Sequence, residues 1–306
     1  RKCNEAGIIF IGPSAEAITL MGDKITARQT MIQAGVPVVP GSEHSVAGEE
    51  NVNEIVQAIG LPVIIKASAG GGGKGMRLVR EASELIPSLR LAQSEALSAF
   101  GNSTVYVEKY IDSPHHIEFQ ILADRFGNTV HLFERECSVQ RRHQKVVEET
   151  PSPFLTPELR QRMGEAAVAA AKVVAYEGAG TVEFLVDANH NFYFLEMNTR
   201  LQVEHPITEY TTGIDIVKEQ ISIASGMPLS FGQNNLTQFG HSIECRISAE
   251  DPFNNFMPSP GVIRHVSQPN GLGIRIDSYV YEGYEVPMYY DPMISKVIVW
   301  GRTRDE

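Results

Sequence analysis

Apolar and polar positions alternate along this chain in two distinct rhythms. Short apolar runs mark strands at Gly7–Gly12, Pro62–Ala67, Met76–Val79 and Val105–Glu108. Helical spacing predicts one helix from Pro13-Ser14 to about Ala34, where Gly35-Val36-Pro37 stops it, and others over 51–59, 81–100, 157–175 and 214–225. Residues 116–124 and 129–136 form a hairpin across Arg125-Phe126-Gly127-Asn128, and 180–187 pairs with 192–198 across Ala188-Asn189-His190-Asn191. Short strands near 242–248, 261–266, 273–277 and 294–300 follow. The fold class is α+β with mostly antiparallel sheets. A compact strand-and-helix unit covers 40–110, and a larger sheet-rich part covers 111–306.

The most informative pattern is Phe194 to Glu204. As one extended strand it puts Glu196, Asn198, Arg200, Gln202 and Glu204 on one face and Leu195, Met197, Leu201 and Val203 on the other. Two carboxylates, two amides and a guanidinium in a row can hold a cation, an anion and a base. A half-exposed strand with a solvated polar face is the plainer alternative.

Composition narrows the classes. A chain of 306 residues supports two or three packed units. The net charge of −11 argues against non-specific nucleic-acid binding. Cys3, Cys137 and Cys245 fit neither a zinc spacing nor a disulfide framework and suit a reducing compartment. No membrane span or signal peptide is expected. Both ends read as cut, so a fragment of a longer protein is expected.

The run from Gly70 to Gly75 contains a GxGxxG match, but a strand, not a helix, follows it, and Lys74 is followed by Gly75 rather than Ser or Thr. Neither a dinucleotide fingerprint nor a Walker loop fits. A glycine lid offering backbone N–H groups to phosphates, with Lys66 just upstream, is favoured over a surface hairpin. Glu183 lies among large apolar residues, so its charge needs a partner. Across the hairpin it faces the Glu196 strand, and Glu183, Glu196 and Asn198 suit Mg²⁺ or Mn²⁺ rather than zinc, with a salt bridge as the alternative. Gln140 to Lys145 is a basic cluster that is either a solvated run or an anion collector.

Taken in order, Ile11-Gly12-Pro13, Met21-Gly22-Asp23-Lys24, Val63 to Ser68 with its glycine loop, Glu108-Lys109-Tyr110, Gln140 to Glu149, Glu196 to Pro206, Glu244-Cys245-Arg246 and Tyr289 to Ile294 resemble the biotin carboxylases of the ATP-grasp superfamily. The resemblance runs through essentially the whole chain. It implies an ATP-grasp fold with a lid sub-domain and ATP-dependent carboxylation of biotin by bicarbonate. It also implies that the family's N-terminal Rossmann-like domain and final C-terminal piece lie outside these residues. Lys24 and Lys66 would contact ATP phosphates under the Gly72–Gly73 lid. Glu108, Lys109, Tyr110 and Ile111 would frame adenine above Leu185, and His116, Gln140 and His143 would complete the nucleotide site. Glu183, Glu196 and Asn198 would hold two Mg²⁺ or Mn²⁺ ions. Lys145, Arg200, Gln202 and Val203 would bind bicarbonate, Glu204 would be the base, and Arg246 would serve biotin.

Implied partners are a biotin carboxyl carrier domain, a carboxyltransferase component and a second copy of the full-length protein, with no nucleic acid and no membrane. The implied location is cytoplasmic, or the mitochondrial matrix in a eukaryote. Another ATP-grasp ligase and a nucleotide-binding module without turnover are the rival readings.

Overall fold

The structure, a computed structural model, describes residues 1–46, 48–68 and 76–306. After helix α1 (Lys2–Glu5), the apolar run to Gly12 is not the strand its sequence suggests. Among the described residues no strand pairs with it, and Ile8 to Ile11 are 50–69% exposed. Without a ladder partner, apolar composition alone does not satisfy an extended backbone. The single long helix expected next is two, α2 (Ala15–Gly22) and α3 (Lys24–Gln33). Asp23 breaks it: with ψ at 117° it leaves the helical region, and its Oδ1 accepts the Thr26 backbone N–H at 2.8 Å. That cap puts Lys24 at the start of a new helix.

A small unit follows. Helix α4 (Glu49–Ile59), strands β1 (Val63–Ala67) and β2 (Met76–Val79), helix α5 (Leu85–Phe100) and strand β3 (Val105–Lys109) build a three-stranded antiparallel sheet in the order β2-β1-β3. Its own apolar cluster includes Val52, Ile65, Leu89 and Val107. The glycine run between β1 and β2, including Gly72 and Gly73, lies outside the described residues.

The remaining chain forms β4 (His115–Ala123), β5 (Thr129–Arg141), β6 (Gln144–Thr150), α6 (Pro157–Val173), β7 (Gly178–Val186), β8 (Phe192–Asn198), α7 (His205–Thr212), α8 (Ile216–Ala224) and β9 (His241–Ser248). Short strands β10 (Glu250–Asp251), β11 (Met257–Pro258) and β12 (Gly261–Val262) precede β13 (Ile274–Ser278), β14 (Glu285–Val286) and β15 (Met293–Gly301). Eight of these make one antiparallel sheet, β13-β15-β9-β6-β5-β4-β7-β8. Helix α6 packs on it through Leu159, Met163, Ala167 and Ala171, closing a core with Phe119, Val182 and Phe184.

Two expectations change here. The run from Phe194 to Glu204 is not one strand: β8 ends at Asn198, residues 199–204 are irregular, and α7 begins at His205. Pro206 in the first turn favours a helix start at that point. The expected strand 261–266 shrinks to two residues. The basic cluster is the tip of the β5–β6 hairpin, with Arg142 and His143 both at positive φ, as a two-residue turn of this hand requires.

Candidate active site

A row of ionisable side chains crosses the large sheet at one level. Glu196 on β8 pairs in register with Glu183 on β7, Glu183 with Glu118 on β4, and Glu118 with Arg135 on β5. Directly opposed strand residues have neighbouring side chains, so four strands bring these charges together. They sit below a cavity of about 1070 Å³ between the two sheets. Every site residue expected from the sequence that lies among the described residues lines this cavity.

At its centre, the Lys145 ammonium donates to Glu118, to Glu183 Oε1 at 2.8 Å and to Glu204 Oε1 at 2.8 Å. Burial works against its charge, but Glu118 and the other surrounding acids override it and raise its pKa. Glu183 shows the converse. Burial alone would raise it, yet the His116 hydrogen bond and the Lys145 charge hold it well below the usual carboxylate range. His116 Nε2 lies 2.7 Å from Glu183 Oε2, and the Gln140 amide is 2.9 Å from His116 Nδ1. Asn198 Nδ2 donates to Glu183 Oε1 at 2.9 Å and to Glu196 Oε1 at 3.4 Å, and Gln202 Nε2 donates to Glu183 at 2.7 Å.

This geometry tests the metal expectation. Glu183, Glu196 and Asn198 offer hard oxygen donors on adjacent strands, and an amide turn would point the Asn198 oxygen inward, which fits Mg²⁺ or Mn²⁺. His116, Glu118 and Glu183 also converge. There, however, the Lys145 ammonium already bridges the two carboxylates, so that trio is a poorer home for a cation.

At one end, Arg246 on β9 donates from Nη2 to Glu204 Oε2 at 3.1 Å and from Nε to Glu148 Oε1 at 2.7 Å. Burial pushes the Glu148 carboxyl up to about 7. Arg200 is exposed and donates to the Leu201 carbonyl. Toward the small sheet, Lys66 Nζ lies 2.7 Å from Glu108 Oε2, and Arg28 Nη1 holds the other Glu108 oxygen at 3.2 Å. Burial lowers the pKa of Lys24, with Glu196 opposing and Lys66 adding to the effect. The Lys109 ammonium donates to the Gly60 and Leu61 carbonyls. The carboxylate of Glu108 and the ammonium of Lys109 are thus engaged within the protein, while Tyr110, Ile111 and Leu185 line the cavity. His143 lines it from the hairpin tip.

Sequence reading missed Arg28, Glu118, Arg135, Glu148 and Lys296. Each is a charged residue buried in a strand or helix. For the four that lie in strands, a polar residue on the inward face of an alternating strand was the available signal.

A small antiparallel lid sheet facing a large antiparallel sheet across a cleft of lysines and carboxylates defines an ATP-grasp protein. The family model "Carbamoyl-phosphate synthase L chain, ATP binding domain" matches residues 23–231, and "Biotin carboxylase C-terminal domain" matches 244–306. Biotin carboxylase 1 of Bacillus subtilis is 57% identical over 305 residues, covering 99% of this chain and 68% of the relative. A pyruvate carboxylase subunit from Methanothermobacter thermautotrophicus is 58% identical, covering 100% of this chain and 62% of the relative. The chain therefore spans about two thirds of the length of such relatives. The Campylobacter jejuni biotin carboxylase in complex with β,γ-ATP superimposes with a TM-score of 0.96 at 52% identity, covering 99% of this chain and 68% of that one. The chain belongs to the biotin carboxylase family. Among the described residues no helix is long and apolar enough to cross a membrane.

Proposed function

We propose that the protein containing this chain uses ATP and bicarbonate to carboxylate biotin on a carrier domain. The observation that carries this reading is the Glu204 carboxylate. It is held between Lys145 and Arg246, in the same cavity as Lys24, Lys66 and the Glu183–Glu196–Asn198 group.

Lys24 and Lys66 hold the ATP phosphates, and Gly72 and Gly73, which the family resemblance assigns to the same phosphates, lie outside the described residues. The backbone of Glu108 and Lys109 frames adenine with Tyr110, Ile111 and Leu185, and His116, Gln140 and His143 close the nucleotide site. Glu183, Glu196 and Asn198 would hold Mg²⁺ or Mn²⁺, whose charge offsets the build-up between the β- and γ-phosphates.

Lys145, Arg200, Gln202 and the Val203 backbone hold bicarbonate against its repulsion from ATP. Glu204 takes its proton, and the bicarbonate oxygen displaces ADP from the γ-phosphate, giving carboxyphosphate. This splits into CO₂ and phosphate. The phosphate takes the ureido proton of biotin, and Arg246 stabilises the resulting enolate as it attacks CO₂.

The partners in this reading are the carrier domain, a carboxyltransferase and a second copy of the full-length protein. We assign residues 1–39 to the end of a preceding domain, 40–110 to the lid and 111–306 to the central and C-terminal parts. The free thiols of Cys3, Cys137 and Cys245 fit the cytoplasm, or the matrix of a mitochondrion.

The test is bicarbonate-dependent ADP release by the full-length protein with Mg²⁺, with and without free biotin. Stimulation by biotin is expected. Bicarbonate dependence without a biotin effect would point to another ATP-grasp ligase, and ATP binding without release to a nucleotide-binding module.

A further inference from the structure

Residues 199–204 leave regular secondary structure, yet they carry Gln202, Val203 and Glu204 at the bicarbonate end of the cavity. An irregular segment keeps functional groups in place only if its surroundings fix it. Here each of three consecutive residues is gripped by a different cation. Gln202 Oε1 accepts from Arg135 Nη2 at 3.1 Å, the Val203 carbonyl accepts from Lys296 Nζ at 2.6 Å, and Glu204 Oε2 accepts from Arg246 Nη2 at 3.1 Å.

Arg135 is wholly enclosed and all five of its N–H groups are used. Besides Gln202 they reach Glu118, Gln120, Thr208 and Thr181. A guanidinium only donates, so Gln202 must turn its oxygen toward Arg135. Its NH₂ then faces the cavity, as its 2.7 Å bond to Glu183 records. Through Glu118 the same guanidinium steadies the carboxylate that holds Lys145.

Lys296 lies on β15, paired with Arg246 on β9 and Asp277 on β13. Its ammonium sits 3.4 Å from Asp277 and 4.0 Å from Glu244, and its shortest contact is the Val203 carbonyl. Burying an ammonium costs free energy that a Leu or Met of similar volume would avoid. Its arrangement makes sense if the contact with Val203 is the purpose.

We propose that Arg135 and Lys296 are positioning residues that clamp the 199–204 segment and set the pose in which Gln202 and Val203 receive bicarbonate. The inference rests on the carboxylation reading. The two cations come from the two separately matched regions of the chain, 23–231 and 244–306. The clamp therefore ties the C-terminal domain to the substrate pocket of the ATP-binding domain.

The experiment compares Lys296→Met, Lys296→Arg, Arg135→Lys and a control, Ile298→Val, in the full-length protein. Ile298 is buried on the same strand but makes no part of the clamp. Two readouts are taken: the KM values for bicarbonate and ATP, and amide hydrogen exchange across 199–205.

Lys296→Met is expected to raise the bicarbonate KM and the segment's exchange rates at least about tenfold, with the ATP KM within about twofold. Lys296→Arg restores most of both. Arg135→Lys, whose single nitrogen cannot span Glu118 and Gln202, acts like Lys296→Met; should it fail to fold, Lys296→Met decides. Ile298→Val lowers only the Tm. Unchanged exchange at 199–205 in Lys296→Met, or parallel rises in both KM values, would overturn the clamp. Absence of bicarbonate-dependent turnover in the unmodified protein would instead sink the carboxylation reading, and exchange would still judge the clamp.

Discussion

The three-stranded sheet wholly encloses Val63, Ile65, Val105 and Val107 in its own apolar cluster and keeps its buried ion pair, Lys66–Glu108, at the cavity, whereas the eight-stranded sheet encloses Glu118, Arg135, Glu148 and Glu244 just as completely. The first sheet is held by burial of apolar surface, a non-directional force that tolerates small shifts. The second gives part of its interior to charges that are costly to enclose and are satisfied only in one arrangement. Four of its strands must pair in a single register before Glu196, Glu183, Glu118 and Arg135 meet. The small sheet therefore tolerates small shifts, while the charged row of the large sheet is held to one arrangement.

The difference also explains what was legible in the sequence. The strands and helices of the lid unit announce themselves through periodicity, because their cores are local and apolar. So do the hairpins β4–β5 and β7–β8, and with them the pairing of Glu183 with Glu196. Most of the other residues that line the cavity were legible only as motifs strung along the chain. Their partners were not. Arg135 meets Gln202 across 67 positions and Lys296 meets Val203 across 93, and no local pattern encodes such a pairing. Strand β6 was hidden inside a basic run and α7 behind the alternation of Phe194 to Glu204. That alternation continues in the sequence after the strand has ended, because the loop residues still face the same cavity.

The largest effect should come from the charged floor. Glu204→Gln removes the proposed base but keeps the shape and, through its one remaining oxygen, the hydrogen bond to either Lys145 or Arg246. Turnover should fall by at least about 10³-fold while ATP affinity, measured by calorimetry, stays within about threefold. Unaltered turnover would remove Glu204 from the role of base.

The matching test in the lid is Ile65→Ala. It should cost roughly 2–5 kcal/mol in denaturant unfolding as a cavity opens in an apolar core. If the two sheets differ as described, the network around Lys145 should keep its hydrogen-exchange protection at denaturant concentrations where the lid has lost its own.

A smaller effect concerns Glu244, whose carboxylate oxygens have no hydrogen-bond partner among the described residues. Burial raises it to about 8 from its ordinary value of 4.5. The folded state therefore keeps a proton that the unfolded state loses. The associated stability is fully present below about pH 4.5 and is lost as pH rises through about 8. Glu244→Gln, neutral at every pH, should flatten this loss. The variant should gain on the order of 2 kcal/mol over the parent at pH 8.5 and little at pH 5. An equal effect at both values would show that the Glu244 site is wetter than its enclosure implies.

All of this stands or falls on whether the charged floor joins bicarbonate to the γ-phosphate. The decisive experiment supplies ¹⁸O-labelled bicarbonate to the full-length protein with ATP, Mg²⁺ and biotin and analyses the released phosphate by mass spectrometry. One labelled oxygen in each phosphate is expected, because the bicarbonate oxygen that attacks phosphorus stays with it when carboxyphosphate splits. Unlabelled phosphate, with ADP formed at the same rate, would show that bicarbonate never attacks the γ-phosphate.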